Sequence, residues 1–189
     1  MAIIGNCGSG KTTLAGQICA RPGFGALLEQ HAERPYQRLA MDDKRWAFHN
    51  QVDYLLYRAE QERAARALPE TGVADGGLDQ DFFIFARLFY EKGYYSPAEF
   101  GVLERLYAAL RGGLPAPERV IRLVVPPALL VERRARRHRA LDIATDDDLP
   151  RIEELLDDLE KELIANAPIF KLDFSDQLFG IFLLFRLGF

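Results

Sequence analysis

The chain has 189 residues, 49% of them apolar, with 24 Lys and Arg against 28 Asp and Glu. That is enough apolar material for one domain, with room for a small mobile subdomain. The net charge of −4 excludes a dedicated nucleic-acid binder, which needs a basic face. Cys7 and Cys19, and the scattered His31, His49 and His138, have no zinc-like spacing, so reduced thiols in a cytoplasmic protein are expected. The sequence opens on a core strand, which predicts no signal peptide, and the apolar tail 178–189, which contains Arg186, is too short to span a bilayer as a helix.

Ala2-Ile3-Ile4 reads as a short buried strand and Thr13 to Ile18 as a helix. Between them, Gly5-Asn6-Cys7-Gly8-Ser9-Gly10-Lys11-Thr12 fits G-x-x-x-x-G-K-[ST], the phosphate-binding loop, in the strand–turn–helix context that motif needs. Its backbone N–H groups and the helix N-terminus face a phosphate. Lys11 reaches the terminal phosphates and the Thr12 hydroxyl binds Mg2+. Thr13 extends this ATP-binding set by one residue. Residues 23–29 read as a loop and a second strand that ends on Glu29, a candidate base or an ordinary surface acid.

Residues 45–68 predict a long helix, with Phe48, Val52, Leu55, Leu56 and Ala59 at helical spacing. Gln51 and Arg58 fall on one face of it, positioned to read the edge of a small planar ligand; the alternative is surface polarity, with Arg58 pairing to Glu62 at i,i+4. Pro69 ends that helix. Thr71 to Ala74 predict a third strand closing on Asp75, which can share Mg2+ with Thr12, and Gly76-Gly77 form a turn. A helix over 79–92 stops at Gly93; Asp81 suits the dipole of its first turn, and its phenylalanines supply core bulk. Ser96-Pro97-Ala98-Glu99 is a capping box that starts a helix to Leu110. A strand over 120–125 follows. Residues 129–142 carry Arg133, Arg134, Arg136, Arg137 and Arg139, read as a lid over bound phosphates because the chain is acidic overall. A helix over 149–165 and a last strand over 169–173 complete the alternation. Strands alternating with helices predict an α/β, P-loop NTPase-type three-layer fold: a parallel sheet flanked by helices, one domain over 1–189, with an arginine-rich lid at about 133–145.

Several of these stretches together resemble the deoxynucleoside kinase family, in particular its bacterial deoxyadenosine/deoxyguanosine kinase branch. They are the phosphate loop, Glu29, Arg45-Trp46-Ala47-Phe48-His49-Asn50-Gln51 running on to Arg58, Asp75 to Ala86, and Arg133-x-x-x-Arg137-His138-Arg139-x-x-Asp142. The resemblance implies that Gln51, Arg58 and Asp81 contact the base and that Glu29 takes the proton of the sugar 5′-hydroxyl. It implies that Asp142 binds the 3′-hydroxyl, and that Arg133, Arg137 and Arg139 hold ATP and its transferring phosphate. It also implies Mg2+ with ATP as donor, a deoxynucleoside as acceptor, and a homodimer. Three departures stand out: Gly76 where the family carries an arginine, Ala40 where it carries a tyrosine, and a dissimilar tail after Leu172. The expected activity is ATP-dependent phosphorylation of a deoxynucleoside 5′-hydroxyl, on a purine or deoxycytidine rather than thymidine. The alternatives are a catalytically impaired nucleotide-binding protein of this fold and a nucleoside monophosphate kinase. If the missing arginine is the defect, Gly76→Arg raises activity.

Overall fold

The computed structural model describes residues 1–27, 34–137 and 144–175, and only the backbone of 26, 27 and 137. Five parallel strands, β1 (Ala2–Gly5), β2 (Phe24–Leu27), β3 (Thr71–Asp75), β4 (Val120–Val124) and β5 (Ile169–Asp173), form one sheet in the order β2-β3-β1-β4-β5. All four residues of β1 are buried, as a central strand covered on both faces requires. Alternate residues serve opposite layers. Ile3, Ile121, Leu123 and Leu172 pack with Leu14 and Ile18 of α1 (Lys11–Cys19), whereas Ile4 and Val120 join a larger core with Leu55, Leu103, Ile152 and Leu156.

That second core is built from α3 (Ala47–Arg66), α6 (Pro97–Gly112) and α8 (Leu149–Leu163), with the helical segment that follows β3. The predicted helix over 79–92 is three pieces: α4 (Leu78–Gln80), a π-helical turn (Asp81–Ala86) and α5 (Arg87–Glu91). The capping box of α6 forms as expected: Glu99 N donates to Ser96 Oγ at 3.3 Å and Ser96 N to Glu99 Oε2 at 2.7 Å. A short helix, α2 (Gln37–Asp42), was not expected. It packs on α3, whose N-terminus is entered through a turn (Lys44–Trp46) and covered by stacked Tyr36, Trp46 and His49. The arginine-bearing helix, α7, spans Pro127–Arg137, beginning on the proline expected to close β4. The tail 178–189 lies outside the described residues. No helix among the described residues is long and apolar enough to cross a membrane.

Two close approaches set the layer spacing. Gly72 lets α3 lie against β3: a Cβ there would meet Ala65 Cβ at 2.7 Å and Ala65 O at 2.8 Å. On β4, Arg122 is a charged residue in a central strand, 2% exposed. It bonds Glu153 at 2.7 Å, Asp157 at 2.7 Å and Glu160 at 2.5 Å along α8. Burial alone pushes the Glu160 carboxyl up, but Lys171 and Arg122 outweigh it and hold the group below its ordinary value. Arg122→Met is therefore expected to cost about 2 kcal/mol at pH 7, less than a fully buried pair because Glu153 and Asp157 keep water contact. A carboxylate with a lowered folded pKa contributes stability above its unfolded pKa and loses it on acidification. The gap between wild type and variant in urea melts should thus narrow as pH falls below 4.5, the ordinary glutamate value.

Candidate active site

Parallel pairing puts Ala2 opposite Ala74 and Ile3 opposite Asp75, so the loop leaving β1 and the acid ending β3 emerge side by side. The loop is held at several points. Asn6 Nδ2 donates to Leu149 O at 2.9 Å and Glu153 Oε2 at 3.1 Å, and Asn6 Oδ1 accepts from Cys7 N at 2.8 Å. Lys11 Nζ donates to Gly5 O and Asn6 O, both at 2.9 Å, which keeps its ammonium over the loop. Gly8, at φ 82°, turns under α7, where a Cβ would stand 3.0 Å from Arg134 Cγ and 3.1 Å from Leu130 O. Ser9 Oγ is buried with no hydrogen-bond partner. The expected phosphate loop is therefore formed, with Gly10 (φ 99°) leading into α1 and with Thr12 and Thr13 in its first turn.

Thr12 Oγ1 donates to Asp75 Oδ2 at 2.5 Å, and Asp75 is 2% exposed. A hydroxyl and a carboxylate oxygen this close are a hard-oxygen pair suited to Mg2+ completed by phosphate and water oxygens. Among the described residues no group of three His, Cys, Asp or Glu is arranged as a metal cage.

Gln51, Arg58 and Asp81 are brought together in the interior, 2%, 6% and 5% exposed. Arg58 Nε pairs with Asp81 Oδ2, Arg58 NH1 donates to Gln61 Oε1 at 3.0 Å, and Gln51 Nε2 donates to Asp81 O at 3.1 Å. The alternative of a surface Arg58–Glu62 pair is corrected here. Glu62 is taken by Arg111 at 2.9 Å and Arg66 at 2.8 Å, on the far part of α3. Asp81 is the acid in the first turn expected of it, but its carboxylate pairs with Arg58, and the turn it opens is π-helical, a widened geometry frequent at functional sites.

Sequence reasoning missed Gln80. Its side chain takes both polar groups of Gly5: Oε1 accepts from Gly5 N at 3.1 Å and Nε2 donates to Gly5 O at 3.3 Å. The signal available was its place beside Asp81, but a glutamine at a helix start does not show that it reaches 75 residues back. Asp79 was missed too; it is buried, bonded by Tyr107 at 2.7 Å and Arg111 at 3.0 Å, and burial pushes its carboxyl up against the opposing pull of both partners.

On α7, Arg133 NH2 donates to Phe174 O at 2.7 Å and Ser175 O at 2.9 Å, with NH1 3.4 Å from Ser9 O, so it bridges the phosphate loop to the end of β5. Arg134 spans to Asp146 Oδ1 and Ala144 O, both at 2.7 Å, and Arg136 faces solvent beside Glu132. Glu29, Arg139 and Asp142, and the side chain of Arg137, lie outside the described residues. Gly76 and Gly77 both have positive φ, 80° and 112°; a Cβ at Gly76 would stand 3.7 Å from Arg58 NH2 and 3.9 Å from Gln80.

Comparison with known proteins agrees with this geometry. The chain is 27% identical over 148 residues to the deoxyadenosine/deoxycytidine kinase of Bacillus subtilis (strain 168), covering 77% of this chain and 68% of that one. It is 26% identical over 183 residues to the deoxyadenosine kinase of Dictyostelium discoideum, covering 93% and 72%. The fold matches deoxyadenosine kinase from M. mycoides with bound dCTP at a TM-score of 0.85 and 20% identity, over 99% of this chain and 98% of that one. The same enzyme with the products dCMP and a flexible dCDP matches at 0.86 and 23%, over 98% and 96%. Residues 1–181 match the model of the deoxynucleoside kinase family, and the chain belongs to that family of nucleoside-phosphorylating transferases.

Proposed function

We propose that this protein transfers the γ-phosphoryl group of ATP to the 5′-hydroxyl of a deoxynucleoside carrying a purine or cytosine. The observation that carries this reading is the buried Arg58–Asp81 pair braced by Gln51, reached from the same sheet edge as the Thr12–Asp75 pair. A guanidinium beside a carboxylate offers donors and acceptors together, which suits an exocyclic amino group next to a ring nitrogen better than a thymine edge. The relatives named above, kinases of deoxyadenosine and deoxycytidine, point the same way.

Phosphoryl transfer is largely positioning and charge stabilisation. The loop amides and Lys11 bind the donor phosphates, and Thr12 with Asp75 holds Mg2+, which neutralises phosphate charge when bound. Glu29 accepts the 5′-hydroxyl proton as that oxygen bonds to phosphorus and ADP leaves. Arg133, Arg137 and Arg139 serve the donor side from the lid, and Asp142 the sugar 3′-hydroxyl. A cytoplasmic homodimer is part of the same reading, on the family likeness alone.

Labelled ATP with Mg2+, each deoxynucleoside and each monophosphate tests this. Transfer to deoxynucleosides is expected to fall by about 10²-fold or more in Glu29→Gln. Transfer only to monophosphates instead identifies a nucleoside monophosphate kinase, and ATP binding without transfer a catalytically impaired relative. Asp81→Asn is expected to raise the acceptor KM by about 10–100-fold with little change in the ATP KM, because a charge-assisted contact is lost on the acceptor side only. Gly76→Arg is not expected to raise the rate. The left-handed backbone at Gly76 costs a side chain about 1–2 kcal/mol, so the variant should melt about 2–8 °C lower with turnover unimproved.

A further inference from the structure

Among the described residues, two uncharged side chains keep a buried oxygen without a hydrogen-bond partner: Ser9 Oγ and Asn50 Oδ1. Ser9 sits in the phosphate loop. Asn50 is on α3, 3% exposed. Burying an unpaired amide oxygen destabilises a fold, and native chains rarely keep one without a use.

The placement of Asn50 suggests its use. Asn50, Tyr54, Tyr57 and Gln61 follow one another at spacings of four, three and four, which makes one polar stripe along α3. Gln61 Nε2 donates to Tyr57 OH at 2.9 Å and Gln61 Oε1 accepts from Arg58 NH1 at 3.0 Å, so the stripe joins the Arg58–Asp81 pair. Round the helix, Arg58 lies about 80° to one side of Asn50 and Gln51 about 100°. Asp53 lies about 60° to the other side; it carries Arg34, bonded at 2.6 Å and 2.8 Å, whose guanidinium covers the Tyr57 ring at 4.3 Å. Asn50 therefore lies on α3 between the sides that carry these two ion pairs, buried like them, and α2, with Ala40 buried at 3%, packs on the same helix.

We propose that Asn50 is a further acceptor-binding residue, its Oδ1 accepting a hydrogen bond from an N–H or O–H donor of the bound deoxynucleoside. The inference rests on the acceptor-site reading above. A hydrogen-bonding site built for a donor also discriminates against analogues that lack it.

The test is dissociation constants of the full chain for deoxyadenosine, deoxyguanosine, deoxycytidine and thymidine, and for ATP, in wild type, Asn50→Leu and Asn50→Ala. The Ala variant excludes overpacking by Leu as a cause. Both variants are expected to bind the preferred deoxynucleoside at least about ten-fold more weakly with ATP binding unchanged. Ligand-free Asn50→Leu is expected to melt at or above the wild-type temperature, because it removes an unpaired polar group. The 2′,3′-dideoxynucleosides then locate the donor: if it is the 3′-hydroxyl, wild type and variants bind them alike; if it is the base or the 5′-hydroxyl, the ten-fold gap persists, and 5′-deoxy analogues separate those two. Equal binding of deoxynucleosides by wild type and both variants overturns this inference and leaves the kinase reading standing. A wild type that binds no deoxynucleoside overturns both.

Discussion

One side chain joins the two halves of the site. Gln80 satisfies both the N–H and the carbonyl of Gly5, the first residue of the phosphate loop, and the next residue along is Asp81, which pairs with Arg58. A loop that bends to present its amides to a phosphate must leave some of its own polar groups without backbone partners, and buried ones need substitutes. Here the substitute comes from the element that carries Asp81. The loop and the Arg58–Asp81 pair thus share a rigid strut, and a shift of one displaces the other.

A second strut runs from the opposite side of the loop. Asn6 is tied to Glu153, Glu153 to Arg122 in the middle of β4, and Arg122 to Asp157 and Glu160 along α8. Lys171 of β5 bonds the same Glu160. The charge of Arg122 is compensated within one helix, so a central strand tolerates it, and the start of α8 becomes part of the wall of the phosphate loop. Arg133 adds a third tie, from the loop to the end of β5. The loop owes its shape to long-range side-chain contacts as much as to its glycines.

What could be read from the sequence was what has a local cause. Strands, the capping box at Ser96 and the phosphate loop each follow from neighbours in the chain, and each formed as expected. The pairing of Arg58 was open on spacing alone, because Glu62 and Asp81 are both carboxylates, and only packing directs Glu62 to α6 and Asp81 to Arg58. The π-helical turn has no sequence period of its own, so it was read as plain helix. The short helix α2 is too brief to show a periodicity and depends on its contact with α3. Gln80 and Asn50 looked like ordinary polar residues because neither partner pairing nor its absence is written in one dimension.

The Gly76-Gly77 turn bears on how this protein can change. A side chain at either position takes on the strain of a left-handed backbone, and one at Gly76 comes into contact with the Arg58 guanidinium and Gln80. Any path toward an arginine at position 76 therefore passes through chains that are less stable by the cost of that backbone. The pair of glycines acts as a ratchet on the sequence: once the backbone settled into this conformation, single substitutions at the turn select for keeping it.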